Sequence, residues 1–337
     1  MDNSTLVEIV NFASLLSSFI LFRVVWLLFN VWFTSAEYLF RPVSTEYNEE
    51  LQEYCANPEF QPWNRVTHGD YVPAGQYPWA VAFVSSKGSY CGGTLLSNRH
   101  ILTARHCLDN IHDPEFAPIT IMVGESSANV TLVYENMGHD IAILQLKTDL
   151  VQVIEDKDNP GPTRFACLPL VTDRLAVSMR VYGWGETDTT PDVGTNHLME
   201  VLLKPLNLEN DPLLKNPDFV ANYAQGCSSE RLYCMHPADP TSKQDGAAGD
   251  SGSGIIGRKG PLLTLFGMTV AGTRGNSSFP LNIGLRLQVL LYDICHYTGV
   301  CVKKSWVGNT DPKSVTINLT TAFYDPAKPA NVQLDLY

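Results

Sequence analysis

The chain has 337 residues, 45% of them hydrophobic, with eight cysteines and a formal net charge of −12. That length and apolar fraction suffice for a sizeable core, and all-β domains of this size often stay undivided. The acidic balance offers phosphates no basic footprint, which excludes nucleic acid as a partner, and the cysteines are too few for a disulfide-dominated scaffold but suit an oxidised enzyme.

Residues 1–36 read as a signal peptide. Phe12–Phe33 is mostly apolar, Arg23 precedes the short hydrophobic run Val24–Phe33, and Thr34-Ser35-Ala36 is a small-residue cleavage site. The alternative is a signal anchor, because the same stretch is long enough to cross a bilayer; Arg23 in mid-span opposes that. The expected location is therefore extracellular, or single-pass membrane-anchored if the segment is retained. Residues 37–65 are polar and marked by Pro42, Pro58 and Pro62, and read as a short propeptide. Cys55 within it has no local partner.

From Val66 to Leu146, short β-rich runs alternate with turn signals: Trp79–Val84, Gly92–Leu96, His100–Thr103, Ile119–Val123, Val130–Tyr134 and Ile141–Leu146. No long segment of helical period interrupts them, which is the pattern of an all-β barrel. Asn129-Val130-Thr131 is a glycosylation acceptor if the chain is secreted. A second series of strands starts at Val177–Gly183. Cys227 and Cys234 bracket a short loop, and Asn276-Ser277-Ser278 is another acceptor. Leu290, Leu291, Ile294 and Tyr297 give one apolar helical face, so a C-terminal helix is predicted. Cys295 and Cys301 can close a loop around Gly299. Residues 302–337, with few large apolar side chains and the acceptor Asn318-Leu319-Thr320, read as a flexible tail.

Three stretches carry chemistry. In Gly249-Asp250-Ser251-Gly252, a hydroxyl sits between glycines, which let the backbone turn sharply and bring a ligand carbonyl to main-chain N–H groups. Alone this is common turn chemistry. Thr103-Ala104-Arg105-His106-Cys107 adds a histidine, and Asp140, at the head of the apolar run Ile141–Leu146, adds a carboxylate. A serine hydroxyl needs such a base, and imidazole titrates near the working pH. The order His, Asp, Ser is that of the chymotrypsin triad.

From about Val66 to Cys295 the chain resembles the chymotrypsin/trypsin-like serine peptidases. Val66-Thr67-His68-Gly69 is similar to the mature start IVGG. Tyr77-Pro78-Trp79-Ala80-Val81 follows at the usual distance. Cys91-Gly92-Gly93-Thr94-Leu95-Leu96 and Leu102–Cys107 resemble the CGGTLI and LTAAHC pair, His139-Asp140-Ile141-Ala142 resembles NDIAL, and Gly183-Trp184-Gly185 matches GWG. The resemblance implies two six-stranded Greek-key β-barrels with a C-terminal helix, and a peptidase domain over 66–301. It implies a triad of His106, Asp140 and Ser251, and an oxyanion hole from the N–H groups of Gly249 and Ser251. It also implies zymogen activation at Arg65–Val66, whose new ammonium would pair with Asp250. The expected reaction is hydrolysis of peptide bonds through an acyl-enzyme, with no metal or cofactor. The implied partners are a peptide or protein substrate, an activating protease and protease inhibitors.

The resemblance pairs Cys55 with Cys167, which would tether the propeptide, and Cys91 with Cys107. The Cys295–Cys301 pair resembles a divergent, roundworm-type branch. Asp245 lies where trypsin-like members carry the carboxylate that binds Arg or Lys, with Gly272 leaving the pocket entrance open; an ordinary loop aspartate is the other reading. Departures from the pattern keep open a second class, a catalytically weak homologue acting as a secreted binding module. Ala247 replaces a disulfide cysteine, Val270 the serine that contacts the triad carboxylate, and Ala271 a tryptophan. Leu281 partly fills the pocket if it stands at the wall glycine. Arg105 puts a cation beside His106, and like charge disfavours the imidazolium. Only 34 positions separate His106 from Asp140, so a surface loop is short.

Overall fold

A computed structural model describes residues 40–55, 72, 76–85, 88–112, 120–123, 126–136, 138–150, 165–173, 177–186, 195, 197–238, 249–259, 262–273 and 279–302. The signal segment, the activation residues Arg65 and Val66, Asp245, Ala247, the acceptors Asn276 and Asn318, and the tail beyond residue 302 lie outside them. No helix of the described residues is long and apolar enough to cross a membrane.

Strand follows strand because β-branched and aromatic residues come in short runs. The first series is β1 Ala80–Ser85, β2 Gly88–Leu95, β3 His100–Ala104, β4 Thr120–Val123, β5 Ser126–Ala128, β6 Val130–Asn136 and β7 Ile141–Leu146. They form one antiparallel sheet in the order β5-β4-β1-β2-β3-β7-β6. The sixfold expectation is exceeded by one strand: β5 is a three-residue ribbon that turns back on β4, pairing Ala128 with Ile121 and Ser126 with Val123. Strands β1, β3 and β7 are buried along their whole length. Continuous apolar runs with both faces covered, rather than alternation, are what such positions require.

The second series is β8 Met179–Gly183, β9 Met199–Pro205, β10 Leu232–Pro237, β11 Gly254–Lys259, β12 Leu262–Gly272 and β13 Asn282–Arg286. These close into a six-stranded barrel, β10-β13-β12-β11-β8-β9. Its filling is Met179, Val181, Leu203, Tyr233, Met235, Ile255 and Phe266, each 2% exposed or less. Closure leaves no free strand edge. The architecture is the expected chymotrypsin-like arrangement of two β units, and the C-terminal helix is present at Leu291–Thr298.

Helices that the strand pattern did not announce add to this frame. Thr45–Tyr54 forms α1. Pro217–Asn222 and Ala224–Cys227 form α2 and α3, with Asn216 capping α2 through its side-chain oxygen at 2.9 Å from the Asp218 N–H. The C-terminal helix is α4. All four disulfides are formed as the sequence suggested: Cys55–Cys167, Cys91–Cys107, Cys227–Cys234 and Cys295–Cys301.

Candidate active site

His106 stands in the 3₁₀ turn Arg105–His112 that follows β3, and Asp140 stands just before β7. Strands β3 and β7 are neighbours, with Ala104 opposite Ile141, so the sheet register alone brings the two side chains together. The carboxylate grips His106 twice. Its Oδ2 accepts from the ring Nδ1–H at 2.7 Å and its Oδ1 from the backbone N–H at 2.9 Å. The Asp140 carbonyl accepts from the Arg105 N–H at 3.1 Å. Held in this way, the ring is fixed with Nδ1 on the Asp140 side.

Asp140 makes these bonds from an unusual backbone. Its φ is 52°, and it is the one non-glycine residue with positive φ among those described. Left-handed geometry disfavours a side chain, although Asp tolerates it better than most. Asn136 supplies the restraint. Its Oδ1 accepts from the Gly138 N–H at 3.0 Å and from His139 Nδ1–H at 3.3 Å. Its Nδ2 reaches Asp293 Oδ2 on α4 at 3.4 Å, and Tyr134 donates its hydroxyl to the same oxygen at 3.0 Å. No motif pointed to Asn136 or Asp293. The side chains of His106 and Asp140 are 38% and 36% exposed, so the pair faces water.

The segment 249–253 turns beside them. Gly249 and Gly252 have φ of 100° and 84°. The Ser251 carbonyl accepts from Gly92 N–H at 2.7 Å and lies 3.5 Å from the sulfur of Cys107, the residue after His106. Glycine at 252 is a requirement: a Cβ there would meet the Gly92 carbonyl at 2.3 Å and Thr103 Oγ1 at 2.4 Å. Thr103 donates its hydroxyl to that Gly92 carbonyl at 2.7 Å, locking the cysteine-loop strand to the histidine strand. The Asp250 carboxylate points at the Gly183-Trp184-Gly185 stretch and accepts from Gly185 N–H at 2.9 Å. A Cβ at Gly183 would come within 2.0 Å of that carboxylate.

Arg105 does not aim its charge at the imidazole. Its guanidinium forms a two-point pair with Asp109, at 3.0 and 2.6 Å, and lies 3.7 Å from Glu135. The expected like-charge penalty is thus offset by two carboxylates. Cys91, His106 and Cys107 cluster closely enough to suggest metal ligands, but the two sulfurs are bonded to each other and offer no thiolate.

Strands β12 and β13 lose register between Thr269 and Ala271, leaving Val270 at the irregularity and Ala271 and Gly272 exposed. Leu281 is 0% exposed and packs with Phe279, Phe219 and the Cys227–Cys234 disulfide. It therefore lies inside an apolar cluster. Asn129 is exposed in the gap between β5 and β6.

The trypsin family profile matches residues 66–289, well over half of the chain. This chain belongs to the trypsin family. It is 28% identical over 268 residues to fibrinolytic enzyme isozyme C of Lumbricus rubellus, covering 72% of this chain and 99% of that protein. It is 25% identical over 236 residues to ovochymase of Halocynthia roretzi, covering 64% of this chain and 14% of that much longer protein. Family membership makes it a serine protease by kind, with peptides or proteins as substrates.

Proposed function

We propose a secreted serine endopeptidase, made as a zymogen, that works through His106, Asp140 and Ser251. The observation that carries this is the double hydrogen bond from His106 to Asp140, with the Ser251 backbone anchored beside it through Gly92. In this reading Ser251 Oγ attacks the peptide carbonyl while His106 Nε2 takes its proton. The protonated ring then returns that proton to the leaving amine, giving an acyl-enzyme that water hydrolyses by the same exchange. Asp140 keeps the proton of the neutral ring on Nδ1 and stabilises the cation that forms. The N–H groups of Gly249 and Ser251 receive the developing oxyanion, where one donor contributes about 3 kcal/mol to the barrier reduction.

Activation follows from Asp250. Cleavage between Arg65 and Val66 creates an ammonium that this carboxylate would receive, ordering the turn that holds Gly249 and Ser251. Asp245 is proposed as the pocket-base carboxylate for an Arg or Lys side chain, entering past Gly272. The protein would act outside the cell, glycosylated at Asn129, Asn276 and Asn318, and meet protease inhibitors as well as its activator.

The test is an active-site-directed fluorophosphonate. Labelling of Ser251 in the activated chain, abolished in His106→Ala, is the expected result. An activated chain that hydrolyses peptides while Ser251 stays unlabelled would overturn the assignment.

A further inference from the structure

The segment 41–55 reads by sequence as a propeptide tethered by one disulfide. Its contacts describe something else. The family match begins at residue 66 and ends at residue 289, yet residues 41–55 belong to the same compact unit as the strands. The two stretches outside the match clasp each other. Val43 donates its N–H to the carbonyl of Thr298, the last residue of α4, at 2.8 Å. Asn48 on α1 pairs with the main chain of Cys301 in both directions, accepting at 2.9 Å and donating at 3.1 Å. Gly299 is left-handed at φ 74°, and a Cβ there would meet Val43 O at 2.6 Å, so only a bare backbone lets the strap pass. The Cys295–Cys301 disulfide fixes the loop that receives it.

The strap also grips the first β unit. Arg41 donates its N–H to Gln145 Oε1, a side chain 2% exposed, and its guanidinium caps the end of β7 through the carbonyls of Leu146 and Lys147 at 3.1 and 3.3 Å. The Tyr47 hydroxyl accepts from Asn98 N–H at 3.3 Å, and burial pushes that phenol up to about 12. Val43 and Leu51 are 8% and 4% exposed. Several of these bonds pair main-chain N–H and C=O groups of the domain with groups of the strap.

We propose that residues 41–55 form a light chain, held by its own surface on the catalytic domain, that stays bound after the chain is cut between residues 56 and 66 whether or not Cys55–Cys167 is intact. The disulfide then retains the fragment as a second safeguard, and the Cys295–Cys301 loop is its receptor. The biological setting rests on the activation reading above, but the surface does not.

The experiment keeps those apart by using an engineered cut. A site for a sequence-specific protease is placed between Pro58 and Pro62 in the purified full-length chain carrying Cys55→Ser and Cys167→Ser. After cutting, the two pieces are expected to co-elute in gel filtration and appear as one complex in native mass spectrometry. Asn48→Ala in the same background raises fragment dissociation by about tenfold or more, for two lost hydrogen bonds. If the cysteine pair cannot be removed without misfolding, the cut wild-type chain is mildly reduced, the Cys55 and Cys167 thiols are verified by alkylation mapping, and elution is repeated. Quantitative release of the fragment from a domain that keeps its circular dichroism would overturn the proposal. A failed Arg65–Val66 activation would not touch it.

Discussion

The carboxylate of Asp140 binds both the ring and the backbone N–H of His106, at 2.7 and 2.9 Å. One side chain therefore fixes both the rotation of the imidazole and the position of the turn carrying it.

Asp140→Asn is expected to lower kcat by about 10⁴-fold, because the amide favours the wrong ring tautomer. Ser251→Ala and His106→Ala should each remove activity, and the double variant should be no worse than either, since the members act as one unit. Rates on an activated peptide ester and unchanged circular dichroism check this; retained activity in Ser251→Ala would reject the triad.

Asn136→Ala should release the turn that keeps Asp140 at positive φ. The expected effect is roughly a tenfold loss in kcat with KM nearly unchanged, because the substrate-facing β12 strand is not altered. A rise in KM with constant kcat would instead place Asn136 in substrate binding.

His100 gives the fold an acid limit. It is 0% exposed on β3, bonded through Nδ1 to Ser97 Oγ at 2.9 Å, and its pKa is lowered to about 3, mainly by burial, with Arg99 and Arg41 adding to the effect and Gln145 opposing it. The unfolded chain takes up a proton below its ordinary value of 6.5 while the folded chain refuses it. Stability is thus complete above that value and falls with pH until about 3. At pH 5 the loss is about 2 kcal/mol. Denaturation midpoints from pH 7 to 4 should show this slope, and His100→Gln should flatten it.

Arg65→Gln should leave the chain uncut by trypsin-like proteases and inactive, while Asp250→Asn should be cut normally and remain inactive. N-terminal sequencing with a matched assay separates the two. Full activity in uncut Arg65→Gln would mean that the 249–253 turn is ordered without the new terminus.

Substrates ending in Arg should exceed those ending in Phe or Ala in kcat/KM, but weakly. Asp245→Asn should erase the preference. Leu281→Ala should cost about 2–5 kcal/mol of stability by emptying a packed site. A Phe preference that survives Asp245→Asn would remove Asp245 from the pocket.

Much of the fold and of the candidate site was legible because the residues concerned are embedded in short-range patterns. The strands around His106 and Asp140 declare themselves through apolar runs, and Gly252 through its place in a turn. Resemblance to the family paired Cys55 with Cys167 and Cys91 with Cys107, although counting alone left all pairings open. What stayed hidden depends on distant partners. Helix α1, TEYNEELQEY, has Leu51 as its buried anchor among polar residues, so its periodicity is weak; tertiary bonds from Asn48 and Tyr47 hold it. Arg105 looked like a threat to the imidazole because Asp109, one helical turn on, was not counted as its partner. Asn136 gave no signal, since its worth lies in reaching Asp293, 157 positions away.

The hydrogen bond from Val43 to Thr298 brings the strap and the end of α4 side by side. That proximity makes the domain a candidate for circular permutation. A short glycine-rich bridge from beyond residue 302 to residue 41 would replace the present termini, and new ones could open at the exposed turn 207–210. Such a permutant would carry its strap in the middle of the chain, and any fused partner would attach at the turn after β9.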